Sequence, residues 1–207
     1  SLALAAAATQ ALGMTGSREA LKALLALPVE RQTSLAWGDA VIRCLQHDVE
    51  QNGTPPAEGR DALRRLLAED AAIQHQAAAL ALLARVAPVA AMQTALAWLN
   101  QGPVRKQRAS AAGLSSLPDE TLRSHLLPAL PTLPTAAQLI AGEELLRRPG
   151  LLGREILDMW LKDPECSDLA ARGLALIGGA GDVAALMQLC SGEGETAHTA
   201  RETLVGL

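Results

Sequence analysis

Four kinds of residue in this 207-residue chain have types and spacings that could do chemistry: a cysteine–histidine pair, adjacent carboxylates, clustered arginines and a glycine-rich stretch. Cys44 and His47 stand three apart, and each could give zinc a ligand. A structural zinc site wants four ligands, and no second pair stands near them in the sequence. His75, His125 and His198 stand alone and read as packing or surface residues. Cys166, within Asp163-Pro164-Glu165-Cys166-Ser167-Asp168, reads as an exposed thiol in a loop. Its acidic neighbours should raise its pKa, which argues against a nucleophile. Asp119 with Glu120, Glu143 with Glu144, and Glu193 with Glu195 have the composition of a hydrolase acid–base pair. That chemistry needs two carboxyls facing each other across a cleft, whereas neighbours on a helix point in different directions. The sequence therefore assigns no catalytic residue, no metal site and no cofactor.

Gly178-Gly179-Ala180-Gly181 is the nearest approach to a phosphate cradle, in which backbone amides meet an anion at a helix start. No strand precedes it and no Lys-Ser/Thr pair follows, so it reads as a tight helix-to-helix turn built on positive-φ glycines. Arg64-Arg65, Arg105-Lys106 with Arg108, and Arg147-Arg148 would form one basic ridge only if the fold brought them to a single side. They hold different positions within their helices, so solvation and salt bridging is the plain reading and partner recognition the functional one. Trp98 and Trp160, 62 residues apart, should project alike, either into the packing or as interface anchors on an exposed edge. The candidate partner-binding residues are thus Arg64, Arg65, Trp98, Arg105, Arg108, Arg154 and Trp160.

The elements that must position these residues are helices. Aromatics are 1% of the chain, with no Tyr or Phe, while hydrophobic residues reach 49%. A sheet would draw on β-branched and aromatic side chains, so an all-α class follows, with close approach between Ala-rich helices. A net charge of -4 gives no general attraction to nucleic acid or anionic membranes. The apolar run from Leu2 to Ala8 lacks a basic flank and is too short to span a bilayer. Three cysteines at irregular spacings give no disulfide framework, and a reducing cytoplasm is the expected setting. With no initiator Met and with helical segments at both ends, the chain reads as a piece of a longer protein.

Leu12, Leu45, Leu82, Leu114, Leu145 and Ile177 recur at intervals of 33, 37, 32, 31 and 32 residues. Leu24, Leu66, Trp98, Leu127 and Leu157 follow in the second half of each interval. A unit of two helices joined by a tight turn cannot bury its apolar faces alone and must stack. This predicts an α-solenoid of about six antiparallel hairpins over 1–207, with a seventh begun at Glu195. Gln51 to Gly59 is expected as a polar insertion. Pro128, Pro131 and Pro134 are expected to break the helix into a linker that could bend the stack over 128–134. Ser17 is expected to cap the second helix, and Ser116 with Pro118 to start another.

The segments Ala11-Leu12-Gly13-Met14-Thr15-Gly16-Ser17-Arg18-Glu19-Ala20-Leu21 and Leu174 to Leu186 carry an Ala-Leu, Gly, Gly-Asp, Ala, Leu pattern. They resemble HEAT-like repeats of the phycobilisome-lyase type; in the intervening units Pro88, Pro118 and Pro149 take the turn instead. The resemblance implies an α-solenoid that binds proteins. The family also includes members acting on phycobilin attachment and relatives that bind DNA, so a fold does not fix a role. The expected function is a non-enzymatic protein-interaction or scaffolding module presenting its row of second helices, Arg18 to Leu27, Arg60 to Glu69, Met92 to Leu99 and Arg154 to Leu161, as a concave face. A nucleic-acid binder using the Arg clusters is the alternative. A lyase-like subunit gathering acids around His125 or Cys166 is the third reading, implied only by the resemblance.

Overall fold

A computed structural model describes residues 2–28, 32, 34–68, 71–191 and 194–206. Among the described residues all regular structure is helical and there is no strand. The chain divides into two compact units, Ser1–Thr121 and Leu122–Leu207.

The first unit contains α1 (Leu2–Thr15), α2 (Arg18–Leu25), α3 (Leu35–Asn52), α4 (Ala57–Leu66), α5 (Ile73–Val86), α6 (Pro88–Gln101), α7 (Val104–Ser116) and a helical turn at Asp119–Thr121. Gly16 adopts φ 62°, the left-handed conformation that reverses the chain between α1 and α2. Ser17 then caps α2 by accepting from the Ala20 amide at 3.1 Å. Ser34 does the same for α3 through the Trp37 amide at 3.2 Å. The expected insertion shrinks from Gln51–Gly59 to the four residues 53–56. Its physical reason is local: Gly53, at φ 76°, closes α3 late, and Pro56 in an extended conformation starts α4 early. Ser116 does not begin a helix. It ends α7, its hydroxyl donating to the Ala112 carbonyl at 3.0 Å.

The alternate helices α1, α3, α5 and α7 pack each on the next. Each contact is made at a position with little or no side chain. A Cβ on Gly13 would lie 2.6 Å from Ala40 Cα, one on Gly38 2.3 Å from the His75 ring, and one on Gly113 2.6 Å from Leu80 Cγ. Glycine costs a helix interior about 1 kcal/mol against alanine. Here that cost is offset by backbone-to-side-chain contact that a Cβ would forbid. The core behind these helices joins Leu21, Leu24, Trp37, Val41, Leu45, Leu63, Leu66 and Leu82, all buried. The Trp37 indole donates to the Leu24 carbonyl at 2.9 Å, tying α3 to the end of α2.

The second unit opens on a π-helical turn, Leu122–Leu126, which runs through Leu127–Ala129 into a 3-10 turn at Leu130–Thr132. The helix-breaking linker expected at Pro128 and Pro131 is thus replaced by helical backbone. Proline lacks an amide and its ring crowds the carbonyl four residues back, here that of Ser124; the widened π turn lies over that carbonyl. Pro131 falls in the first turn of the 3-10 segment, where an amide donor is not required. The unit continues with α8 (Thr135–Leu146), α9 (Arg154–Leu161), α10 (Ser167–Ile177), α11 (Val183–Cys190) and α12 (Glu195–Gly206). Gly142 on α8 admits Leu169 of α10, and Gly173 on α10 admits Leu157 of α9; a Cβ at either would meet a methyl at 2.4 Å. No helix among the described residues is long and apolar enough to cross a membrane.

Candidate functional site

The residues with chemical potential divide into those the fold buries, those it pairs and those it leaves available. Cys166 belongs to the first group. It is fully buried at the end of a 3-10 turn, correcting the expectation of an exposed thiol. Burial first, then the neighbouring Asp163 carboxylate, pushes its pKa up to about 11. Cys44 is also buried, with its pKa raised by desolvation, while His47 on the same helix is exposed, so the two do not face one site. His125 is exposed on the π turn. Among the described residues no group of three or more His, Cys, Asp or Glu could hold a metal ion.

Glu143 and Glu144 point apart. Glu143 receives the Arg172 guanidinium in a two-pronged contact at 2.6 and 3.0 Å, whereas buried Glu144 takes Arg147 at 2.5 Å. Glu143 first, together with Asp168, raises the pKa of Arg172 against a smaller desolvation effect. Asp119 and Glu120 are exposed, and Glu193 lies outside the described residues. The Gly178–Gly181 turn has no positive-φ glycine, against expectation. Gly178 is there for space, since a Cβ would lie 2.3 Å from the Leu174 carbonyl oxygen. The Gly179 amide already donates to the Asp182 carboxylate at 2.9 Å, so the loop presents an acid where a phosphate would sit.

The tryptophans are core residues. Trp160 is 0% exposed and Trp98 8%, so neither offers its ring as an edge anchor, a correction to that half of the expectation. Both sit where adjoining helices leave room: a Cβ on Gly142 would meet Trp160 Cζ2 at 3.0 Å, and Lys106 lays its ammonium 5.5 Å from the Trp98 ring centroid.

The arginine clusters do not form one ridge. Arg64 pairs with Asp61, Arg65 bonds Gln32, and Arg154 lies between Asp158, at 2.9 Å, and Asp182. Arg105 and Arg108 differ. Both are exposed, and neither has an ion-pair or hydrogen-bond partner among the described residues. The basic cluster at the start of α7 is therefore split, because buried Lys106 turns onto Trp98 while Arg105 and Arg108, one helical turn apart, remain outside.

Candidate residues line three grooves, each formed by described residues. The first, about 610 Å³, is formed by the opening turns of α5 and α7: Ile73, Gln74 and Ala77 face Val104, Arg105, Arg108 and Ala109. The second, about 360 Å³ and also in the first unit, places Arg60 and Arg64 beside Leu63, Leu67, Leu83 and Val86. The third, about 570 Å³ in the second unit, sets Arg123 and Arg154 against Pro128, Pro131, Ile156 and Met159. Of these three, the α5/α7 groove alone has both its arginines without a partner among the described residues. Sequence reading picked out Arg105 and Arg108 but not their α5 partners, Ile73 and Gln74. His75, read as a packing or surface residue, is buried, and its Nε2 lies 2.9 Å from Asp39 Oδ1. No family model matches the chain, and neither a curated protein nor a solved structure matches it.

Proposed function

We propose that the chain is a non-enzymatic protein-interaction module built from HEAT-like hairpins and working in the reducing cytoplasm. The observation that carries this reading is the α5/α7 groove, where exposed Val104 and half-buried Ile73 and Ala77 stand beside two arginines that have no partner among the described residues. Arginine next to apolar surface is a composition enriched at protein interfaces. Glycine-mediated stacking of α1, α3, α5 and α7 supports the repeat reading, because it gives successive hairpins one common way of packing. The three free cysteines fit a reducing compartment. This reading places the binding face on the N-terminal ends of α5 and α7 and not on the row of second helices.

The test is positional. A photo-crosslinking residue is placed at exposed Gln74 in the full chain and, as a control, at exposed Glu50 on α3. The reading expects a discrete protein adduct from position 74, absent from position 50 and lost when Val104→Asp is added. Equal labelling from both positions, or none from position 74, would remove it.

A further inference from the structure

We infer that the α5/α7 groove takes an acidic amphipathic segment of another protein, one that presents two carboxylates a helical turn apart beside an aliphatic side chain. This rests on the proposed interaction function and adds the chemistry of the partner.

Four sources of positive potential meet in the groove. Two are the Arg105 and Arg108 guanidinium groups. The other two are helix N-termini. The groove is lined by Ile73 and Gln74, the first residues of α5, and by Val104 and Arg105, the first residues of α7. Backbone bonding in these helices begins at the His75 and Lys106 amides, so the amides ahead of them lie outside the helical ladder. Ala72 and Pro103 supply no side-chain cap, and neither helix has an acid in its first turn. Each end therefore keeps its partial positive charge, which favours an anion nearby. Among the described residues no carboxylate lines the groove.

The remaining lining selects the kind of anion. Val104 is 62% exposed and stands beside Ile73, Ala77 and Ala109, so the occupant must cover aliphatic surface as well as charge. Arg105 and Arg108 are three residues apart on one helix face, which puts their stems roughly 5–6 Å apart. Carboxylates at i and i+4 of a partner helix repeat at the same distance, and each planar guanidinium can grip one through paired N–H donors. Nucleic acid fits less well. Two cations neutralise few phosphates, and no aromatic ring lines the groove to stack a base.

The experiment uses the full chain and fluorescein-labelled helical peptides of about sixteen residues, read by fluorescence anisotropy. One peptide carries Leu beside Glu at i and i+4, a second has Gln in place of Glu, and a third has Lys. A labelled DNA duplex is the fourth probe. The acidic peptide is expected to bind at least tenfold more tightly than the Gln peptide, a gap of about 1.4 kcal/mol. It should weaken as salt rises. Arg105→Glu with Arg108→Glu should abolish that binding and create affinity for the Lys peptide, with the far-ultraviolet circular dichroism unchanged. Tighter binding of DNA than of the acidic peptide overturns the inference, as does equal affinity for the Gln peptide or indifference to the double substitution. Should the crosslink at position 74 persist while the acidic preference fails, the interaction function stands and only the partner chemistry falls.

Discussion

Glycine is the residue through which this chain brings helices together, and the effect is specific to position. At Gly38 a Cβ would sit 2.3 Å from the His75 ring, held between α3 and α5. Gly38→Ala is therefore expected to cost roughly 1–3 kcal/mol through overpacking. Gly150→Ala, with nothing within 4 Å, should be close to neutral. Urea unfolding midpoints of the two variants check the contrast; equal midpoints would contradict the packing account. Cys166 gives a second test at this scale. Its thiol is held protonated, with a pKa of about 11 against an ordinary value of 9.0. Between those values the unfolded chain ionises and the folded one does not, so this group's contribution to stability is whole below pH 9 and falls as pH rises toward 11. At pH 8 a maleimide should modify half-buried Cys190 readily and Cys166 only after unfolding. Rapid labelling of Cys166 in the native protein would refute its burial.

Helices here start and stop by different devices, and the device determines how each boundary responds to mutation. Ser17 and Ser34 cap α2 and α3 through their hydroxyls. Losing either cap should cost about 1 kcal/mol, which lowers the Tm of a protein of this size by about 2–4 °C. Differential scanning fluorimetry of Ser17→Ala and Ser34→Ala checks it, and an unchanged Tm in both would show that the caps are energetically idle. The starts of α5 and α7 lack such caps, and the same absence that weakens these ends leaves them positive. Proline acts at the element scale too. Pro128 is accommodated in the second unit because the preceding turn widens to π geometry, so a residue that reads as a helix breaker marks a change of helical form instead.

At the scale of the whole molecule, the division into two compact units has an energetic consequence. The first unit holds a buried cluster of its own, from Leu21 and Leu24 through Leu45 to Leu82. A fragment of residues 1–121 is expected to fold alone, showing helical circular dichroism and a cooperative urea transition. A gradual, non-cooperative loss of signal would show that this cluster needs the rest of the chain. The net charge of -4 also bears on binding. In an acidic chain the positive charge of Arg105 and Arg108 is local, so electrostatic attraction of an acidic partner must be short-ranged.

The sequence by itself determined the helical class, most helix positions and the capping role of Ser17. Those depend on composition, apolar spacing and local turn chemistry, which act within a few residues. It also indicated that adjacent Glu143 and Glu144 would point apart, because helical geometry alone requires it. Tertiary structure decided what depends on neighbours distant in the chain. It buried Cys166, Trp98 and Trp160, paired Arg64, Arg65, Arg147 and Arg154, and left Arg105 and Arg108 open. It brought Ile73 and Gln74 to the start of α7, some thirty residues on, and so made a groove from two helix ends. Nothing in either segment read singly could show this, because the groove forms only when α5 and α7 pack side by side.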